Sequence, residues 1–107
     1  MTTRTLALTP LTGRHAARID MPLEELLDPT NHQALRDALV DRKVLVLAGA
    51  NPTVDQHIAL ATVFGAPEPP QPQNPRHPEN DFVCVFDSDE GYKADRWHAD
   101  ETFNNTP

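Results

Sequence analysis

The sequence has little of what builds disulfide-linked or membrane-spanning proteins. Cys84 is its single cysteine, so the chain cannot form an internal disulfide. Aromatic residues make up 6% and apolar residues 38% of the 107 positions, a soluble globular composition that is thin in core-forming side chains. No apolar run approaches the roughly 20 residues that a membrane span requires, and no signal-peptide core follows Met1. We therefore expect a cytoplasmic protein that does not contact membranes.

Basic residues are also scarce. Nine lysines and arginines stand against sixteen acidic residues, which gives a formal charge of −7. A surface that seeks nucleic-acid phosphates is therefore not expected, and we predict no nucleic-acid partner. Residues 79–107 carry eight acidic and two basic side chains. This clustering favours a solvated acidic face, with a cation site as the alternative.

Proline, in contrast, is abundant and unevenly placed. Six of the eleven prolines fall within residues 67–78. Each proline fixes its φ angle and lacks a backbone donor, so this segment cannot be a helix or a central strand. The composition predicts a stiff loop.

The remaining segments alternate between strand and helix patterns. Asp28 and Pro29 are suited to begin one helix, and Thr53 and Gln56 form the capping box of another. The predicted order is strand 5–8, strand 15–19, helix 28–43, strand 44–47, helix 53–65, strand 82–86 and strand 96–103. This order indicates a mixed α/β fold.

Apolar residues on the periodic faces of these segments form the predicted core. The residues expected to be mostly buried are Leu35, Leu39, Val44, Val46, Ile58, Ala61, Phe64, Val83 and Val85.

Residues 97–103 (Trp-His-Ala-Asp-Glu-Thr-Phe) concentrate the side chains of chemical interest. On a strand, residues two apart share a face and lie about 6.6 Å apart. His98 and Asp100 could then occupy two neighbouring positions around an octahedral metal ion. With a further histidine, such a pair forms the 2-His-1-carboxylate triad that suits non-haem Fe(II) oxygen chemistry.

Two other interpretations of this pair remain open. A His-x-Asp pair arises easily by chance, and an exposed histidine beside a solvated acid is the simpler interpretation. The third is a zinc site that combines His98 and Asp100 with a loop histidine such as His77.

The context of the pair resembles a known family. Residues 97–103 resemble the Trp-His-[Thr/Ser]-Asp-x-[Thr/Ser]-Phe signature of the TauD/TfdA family, the taurine dioxygenase-like Fe(II)- and 2-oxoglutarate-dependent dioxygenases. Residues 6–11 resemble the opening strand and turn of the family, residues 35–47 its first helix and following strand, and residues 53–65 its second helix. The resemblance implies the N-terminal part of a double-stranded β-helix, or jelly-roll, fold.

The resemblance also implies a chemistry. His98 and Asp100 match the first two iron ligands of the family, and no other catalytic residue is expected in this chain. Fe(II) is the implied cofactor, with 2-oxoglutarate and O2 as co-substrates. They yield succinate and CO2 while a small organic substrate is hydroxylated. Residues 67–78 lie where the family places part of its active-site cover.

Three positions bear on the substrate. Sulfonate-using members of the family carry a histidine and a tyrosine where this chain has Pro70 and Gln73, and an asparagine where it has Ala94. Taurine is therefore not the expected substrate. Residues 91–97 look closer to the branch of the family that cleaves alkyl sulfate esters.

Family members are much longer than this chain. In the resemblance, the third iron ligand and the arginine that binds 2-oxoglutarate lie beyond position 107. We therefore expect a fragment that carries the first part of a single dioxygenase domain and is inactive alone, and a full-length protein that forms homo-oligomers. The alternative is a truncated, non-catalytic relative that acts as an interaction or regulatory module.

Overall fold

Two small sheets with helices packed beside them make up the computed structural model, which describes residues 6–91 and 93–105. The strands are β1 (Leu8–Pro10), β2 (Ala17–Ile19), β3 (Leu45–Val46), β4 (Arg76–His77) and β5 (Asn80–Cys84), and the helices are α1 (Leu23–Leu26), α2 (His32–Arg42) and α3 (Val54–Phe64). The mixed α/β character predicted from the sequence is confirmed. Among the described residues, no helix has the length and apolar character needed to cross a membrane.

The first sheet has the strand order β1-β2-β3. β1 and β2 are antiparallel, with Thr9 opposite Arg18. β2 and β3 are parallel, with Arg18 opposite Val46. Parallel neighbours need a long crossover, and α1 and α2 supply it. β3 is therefore an edge strand of two residues.

A polar cluster lies on the surface of the β1–β2 pair. The Thr9 hydroxyl donates to the Asp20 carboxylate, and the Arg18 guanidinium donates to the same carboxylate over 2.7 Å. The hydrogen bond from Thr9 is the main cause that holds the pKa of Asp20 below its usual value, and the hydrogen bond from Arg18 lowers this pKa further. Because the cluster is exposed to water, we expect it to contribute little to stability.

The helix predicted to begin at Asp28 and Pro29 begins later, as α2 at His32, and a 3₁₀ turn takes the predicted start. The Asp28 carboxylate accepts a hydrogen bond from the Thr30 amide over 2.9 Å, and Pro29 begins a short 3₁₀ turn that leads into the helix. The helix ends at Arg42, and Lys43 adopts a positive φ of 71°.

Arg42 fixes the end of α2 to the turn between β1 and β2. Its guanidinium Nη2 donates to the backbone oxygens of Thr12, over 2.9 Å, and Ala16, over 3.1 Å. The Ala16 amide donates in return to the Arg42 carbonyl over 2.7 Å. This two-way bonding accounts for the positive φ of 62° at Ala16.

α3 begins with the predicted capping box. The Thr53 hydroxyl accepts from the Gln56 amide over 3.1 Å, and the Gln56 side chain accepts from the Thr53 amide over 2.9 Å. Two backbone donors at the helix start are thereby satisfied without any tertiary contact.

The core lies where α1, α2 and α3 meet the first sheet. Its buried members are Leu6, Ile19, Leu26, Leu35, Ala38 and Val63. α1 supplies Leu26, which is completely buried, although no strong sequence signal predicts this four-residue helix. Asn31 is also buried, and its side-chain amide donates to the Glu25 carbonyl over 2.7 Å.

Several predicted strands are displaced or wrong. The strand predicted at residues 5–8 is displaced: Leu8 is the first residue of β1, residues 6 and 7 lie outside any strand, and Thr5 lies outside the described residues. The strand predicted at 82–86 lies two residues earlier, as β5, because it pairs with β4. The strand predicted at 96–103 is wrong, since that segment forms an irregular stretch and a turn.

The prediction that the nine periodic apolar residues are mostly buried is also wrong. Leu35 is buried, whereas Leu39, Ile58 and Val83 are half-buried. The exposed members of the set are Val44, Val46, Ala61, Phe64 and Val85. Val46 lies in β3, the edge strand of the described first sheet, and Val44 directly precedes this strand.

The capping box gives a direct stability test. We expect Thr53→Ala to lower the free energy of unfolding by about 1 kcal/mol, because the Gln56 amide loses its acceptor. Thr62→Ala in the same helix is the matched control. Its hydroxyl bonds to the Ile58 carbonyl within the helix, so its loss should be nearly neutral. Equal effects of the two substitutions in urea unfolding would contradict the role of the cap.

Candidate metal centre

The candidate ligands lie in a segment without regular secondary structure. Residues 93–99 are irregular, and a turn follows at residues 100–103. Within that turn Glu101 has a φ of 48°, and the Asn104 amide donates to the Glu101 carbonyl over 2.9 Å. The turn brings Asp100 back towards the side chain of His98.

A backbone contact orients the His98 ring. Its Nδ1 lies 2.7 Å from the Arg96 carbonyl oxygen. A carbonyl oxygen can only accept, so Nδ1 carries a proton and donates. In the neutral ring, the lone pair then lies on Nε2, the arrangement found in histidines that bind metals.

The free ring nitrogen faces a carboxylate. His98 Nε2 lies 3.3 Å from Asp100 Oδ1. When the ring is neutral and Nδ1 carries the proton, the lone pair of His98 Nε2 faces Asp100 Oδ1. These two electron-rich atoms repel each other, and a cation bound between them relieves the repulsion. Either a second ring proton or a metal ion can supply that charge.

The separation suits two neighbouring ligands of one ion. Metal–ligand bonds of about 2.1 Å that meet at a right angle place their donor atoms about 3.0 Å apart. The observed 3.3 Å is close to this value. An imidazole nitrogen and a carboxylate oxygen are also the donor types of non-haem iron sites. The two residues therefore fit part of an iron site.

Both candidate ligands are open to solvent. The side chain of His98 is 55% exposed and that of Asp100 is 89% exposed. The prediction that His98 and Asp100 share the face of one strand is wrong about the strand, since a turn and a backbone hydrogen bond bring the two side chains within 3.3 Å of each other.

The three substrate-side positions are separated in the structure. Ala94 lines a shallow hollow together with Trp97 and His98. Pro70 and Gln73 do not line this hollow. Pro70 is half-buried, and its carbonyl oxygen accepts a long hydrogen bond of 3.4 Å from Arg76, whereas Gln73 is exposed. The loop that contains them continues into β4.

The described part of the chain contains no cluster of side chains that supports the zinc hypothesis. Across residues 6–91 and 93–105, no three His, Cys, Asp or Glu side chains are arranged to hold a metal ion. His77 uses its Nδ1 to accept a hydrogen bond from the Glu79 amide over 3.0 Å.

A second cavity was not predicted from the sequence. It has a volume of about 280 Å³ and lies between α1 and the start of α3, where its lining includes Met21, Leu23, Glu24, Leu47 and Gln56. α1 forms part of the wall of this cavity, and the sequence did not predict that helix. None of the predicted site residues lines it.

Comparison with known proteins gives the same family over nearly the whole chain. The model of the taurine catabolism dioxygenase TauD, TfdA family matches residues 7–107. An alkylsulfatase of Acinetobacter baylyi (strain ATCC 33305 / BD413 / ADP1) is 37% identical over 103 residues, which cover 94% of this chain and 32% of that protein. The chain therefore spans about a third of the length of this curated relative. Because the family model covers so much of the sequence, the chain belongs to the TauD/TfdA family.

Proposed function

We propose that this chain forms part of an Fe(II)- and 2-oxoglutarate-dependent dioxygenase domain and supplies two of its iron ligands, His98 and Asp100. The observation that carries the proposal is the pairing of a free His98 Nε2 with Asp100 Oδ1 at 3.3 Å. Family membership supports the class of reaction. In this proposal the two small sheets are the N-terminal portion of the family's jelly-roll.

Arg96, His98 and Asp100 each have a part in holding the metal in this proposal. The Arg96 carbonyl keeps Nδ1 of His98 protonated, so that Nε2 is the donor atom. Asp100 supplies the neighbouring oxygen and a negative charge. When bound, iron and 2-oxoglutarate supply the oxidative chemistry that converts 2-oxoglutarate and O2 to succinate and CO2 and hydroxylates a substrate carbon. The third iron ligand and the residue that binds 2-oxoglutarate are not assigned to the described part of this chain.

We propose an alkyl sulfate-like substrate. The relative from Acinetobacter is named an alkylsulfatase, and Pro70, Gln73 and Ala94 depart from the residues of sulfonate-using members. Hydroxylation of the carbon that bears a sulfate ester gives an unstable product that separates into an aldehyde and sulfate. Residues 67–78 would cover the substrate, and their prolines reduce the entropy lost when such a loop closes.

A metal titration tests the ligand pair. We expect Mn²⁺, a probe for Fe(II), to broaden the NMR signals of the His98 ring before those of His57, an exposed histidine on α3. Asp100→Asn should weaken this binding by at least about tenfold, because it replaces a charged carboxylate ligand with a neutral amide.

Asp89→Asn is the matched control for this titration. It removes the same charge from the same acidic segment, and Asp89 lies outside the proposed pair. If Asp89→Asn weakens Mn²⁺ binding as much as Asp100→Asn does, the effect is general electrostatic attraction and the ligand assignment is wrong.

A chimera tests the reaction. Residues 7–107 replace the matched third of the Acinetobacter alkylsulfatase, and succinate release is measured with Fe(II), ascorbate, 2-oxoglutarate and a panel of alkyl sulfates and sulfonates. We expect substrate-dependent succinate with alkyl sulfates. His98→Ala and Asp100→Ala should abolish it, whereas His57→Ala should not.

The same assay separates the alternatives. The 107-residue chain alone should release no substrate-dependent succinate, because two ligands hold iron weakly. Activity of the chimera after His98→Ala would refute the ligand assignment. A chimera that folds but releases no succinate would favour the non-catalytic interaction module.

A further inference from the structure

The hollow beside the candidate metal ligands has an apolar part and a charged part. Its volume is about 410 Å³, and its described lining is the continuous stretch from Ala94 to His98. Ala94 and the exposed ring of Trp97 are apolar, whereas Asp95 and Arg96 carry opposite charges. Since His98 also lines the hollow, a molecule bound there lies next to the proposed iron site.

The side chain of Arg96 is free to bind a ligand. Among the described residues that line the hollow, it is the only lysine or arginine. Its guanidinium forms no hydrogen bond or ion pair with any residue of the described ranges 6–91 and 93–105, although Asp95 precedes it. Its backbone carbonyl, in contrast, accepts the hydrogen bond from His98 Nδ1. One residue therefore orients a candidate iron ligand through its backbone and leaves five side-chain donors without a partner.

We propose that the Arg96 guanidinium binds the sulfate group of the substrate, and that the alkyl chain lies against Ala94 and Trp97. The inference rests on the alkyl sulfate substrate proposed above and names the side chain that recognises it. A guanidinium presents parallel N–H donors to two oxygens of one anion. An alkyl sulfate is an apolar chain that ends in a negative charge, which matches the two parts of the hollow.

The charge of the surrounding segment makes a cation necessary. Residues 79–107 carry eight acidic and two basic side chains, so their combined field repels an anionic substrate. The two basic residues are Lys93 and Arg96, and Lys93 does not line the hollow. Arg96 is therefore the residue of this segment that can offset the repulsion where the sulfate would lie.

Binding of hexyl sulfate to the metal-free 107-residue chain tests the proposal. Trp97 is the single tryptophan, so tryptophan fluorescence reports on the hollow itself. A chelator removes any effect of bound metal, and low salt limits the screening of exposed charges. We expect a saturable change in fluorescence with hexyl sulfate. Hexanol, which has the same chain without the charge, should bind at least about tenfold more weakly.

Arg96→Gln should lower the affinity for hexyl sulfate at least about tenfold and leave that for hexanol unchanged, because it removes the charged donors. The backbone carbonyl that His98 uses is kept. Lys93→Gln is the matched control, since it removes the same charge from the same segment outside the hollow. It should change the affinity for hexyl sulfate by less than about twofold.

The chimera with the Acinetobacter alkylsulfatase gives a second readout. Arg96→Gln should raise KM for hexyl sulfate at least about tenfold and leave KM for 2-oxoglutarate unchanged. An equal rise in both KM values would assign Arg96 to a carboxylate of 2-oxoglutarate and would overturn the proposal.

Three results of the fluorescence titration would also overturn it. They are no saturable response to hexyl sulfate, equal weakening by Arg96→Gln and Lys93→Gln, and an equal loss of hexanol binding with Arg96→Gln. These results would leave the Mn²⁺ titration of His98 and Asp100 standing. A chimera without activity would count against the proposed reaction, and the fluorescence titration would still decide the role of Arg96.

Discussion

Backbone pairing between neighbouring strands is the constraint on which the rest of this structure depends. β2 has a partner on each side, and the core forms beside it. β3 has one partner, extends over two residues and leaves Val44 and Val46 exposed. A strand persists only where a neighbour takes its amide and carbonyl groups. The short strands of the described sheets follow from this requirement.

The parts of the fold that the sequence predicts well are those that close within a few residues. The Thr53–Gln56 capping box needs no tertiary partner and forms as predicted, and Asp28 acts as a cap, although it caps a short 3₁₀ turn before α2 and not α2 itself. α1 could not be predicted in this way, because its four residues are stabilised by the burial of Leu23 and Leu26 and not by local signals. Which side chains are buried on the faces of a sheet depends on which strands pair. The spacing of apolar residues along the sequence does not specify that pairing.

At the candidate site, too, the sequence predicts contacts between near neighbours but not contacts between distant segments. Strand geometry predicted that His98 and Asp100 lie on one side, and the side chains do converge. The cause is different: a hydrogen bond to the Arg96 carbonyl and the turn at residues 100–103 hold them together. Pro70 and Gln73 could not be placed from sequence relative to His98, because no local rule relates the proline-rich loop to residues 93–105.

Two local features bring the candidate ligands together. A hydrogen bond to the Arg96 carbonyl orients the His98 ring, and Asp100 Oδ1 lies 3.3 Å from His98 Nε2 within an acidic segment of a TauD/TfdA chain. In the proposed function this pair supplies two iron ligands. Both side chains are open to solvent, so the described residues do not exclude water from the proposed site.

The position of the proton on the His98 ring tests the proposed ligand pair most directly. Two-bond ¹H–¹⁵N correlation spectra of the ring, recorded at about pH 8 so that an ordinary histidine is neutral, identify the nitrogen that carries the proton. We expect a proton on Nδ1 without metal, and a change confined mainly to the Nε2 resonance when a diamagnetic divalent ion such as Zn²⁺ is added. A proton on Nε2, or a metal-dependent change at Nδ1, would contradict the proposed ligand pair.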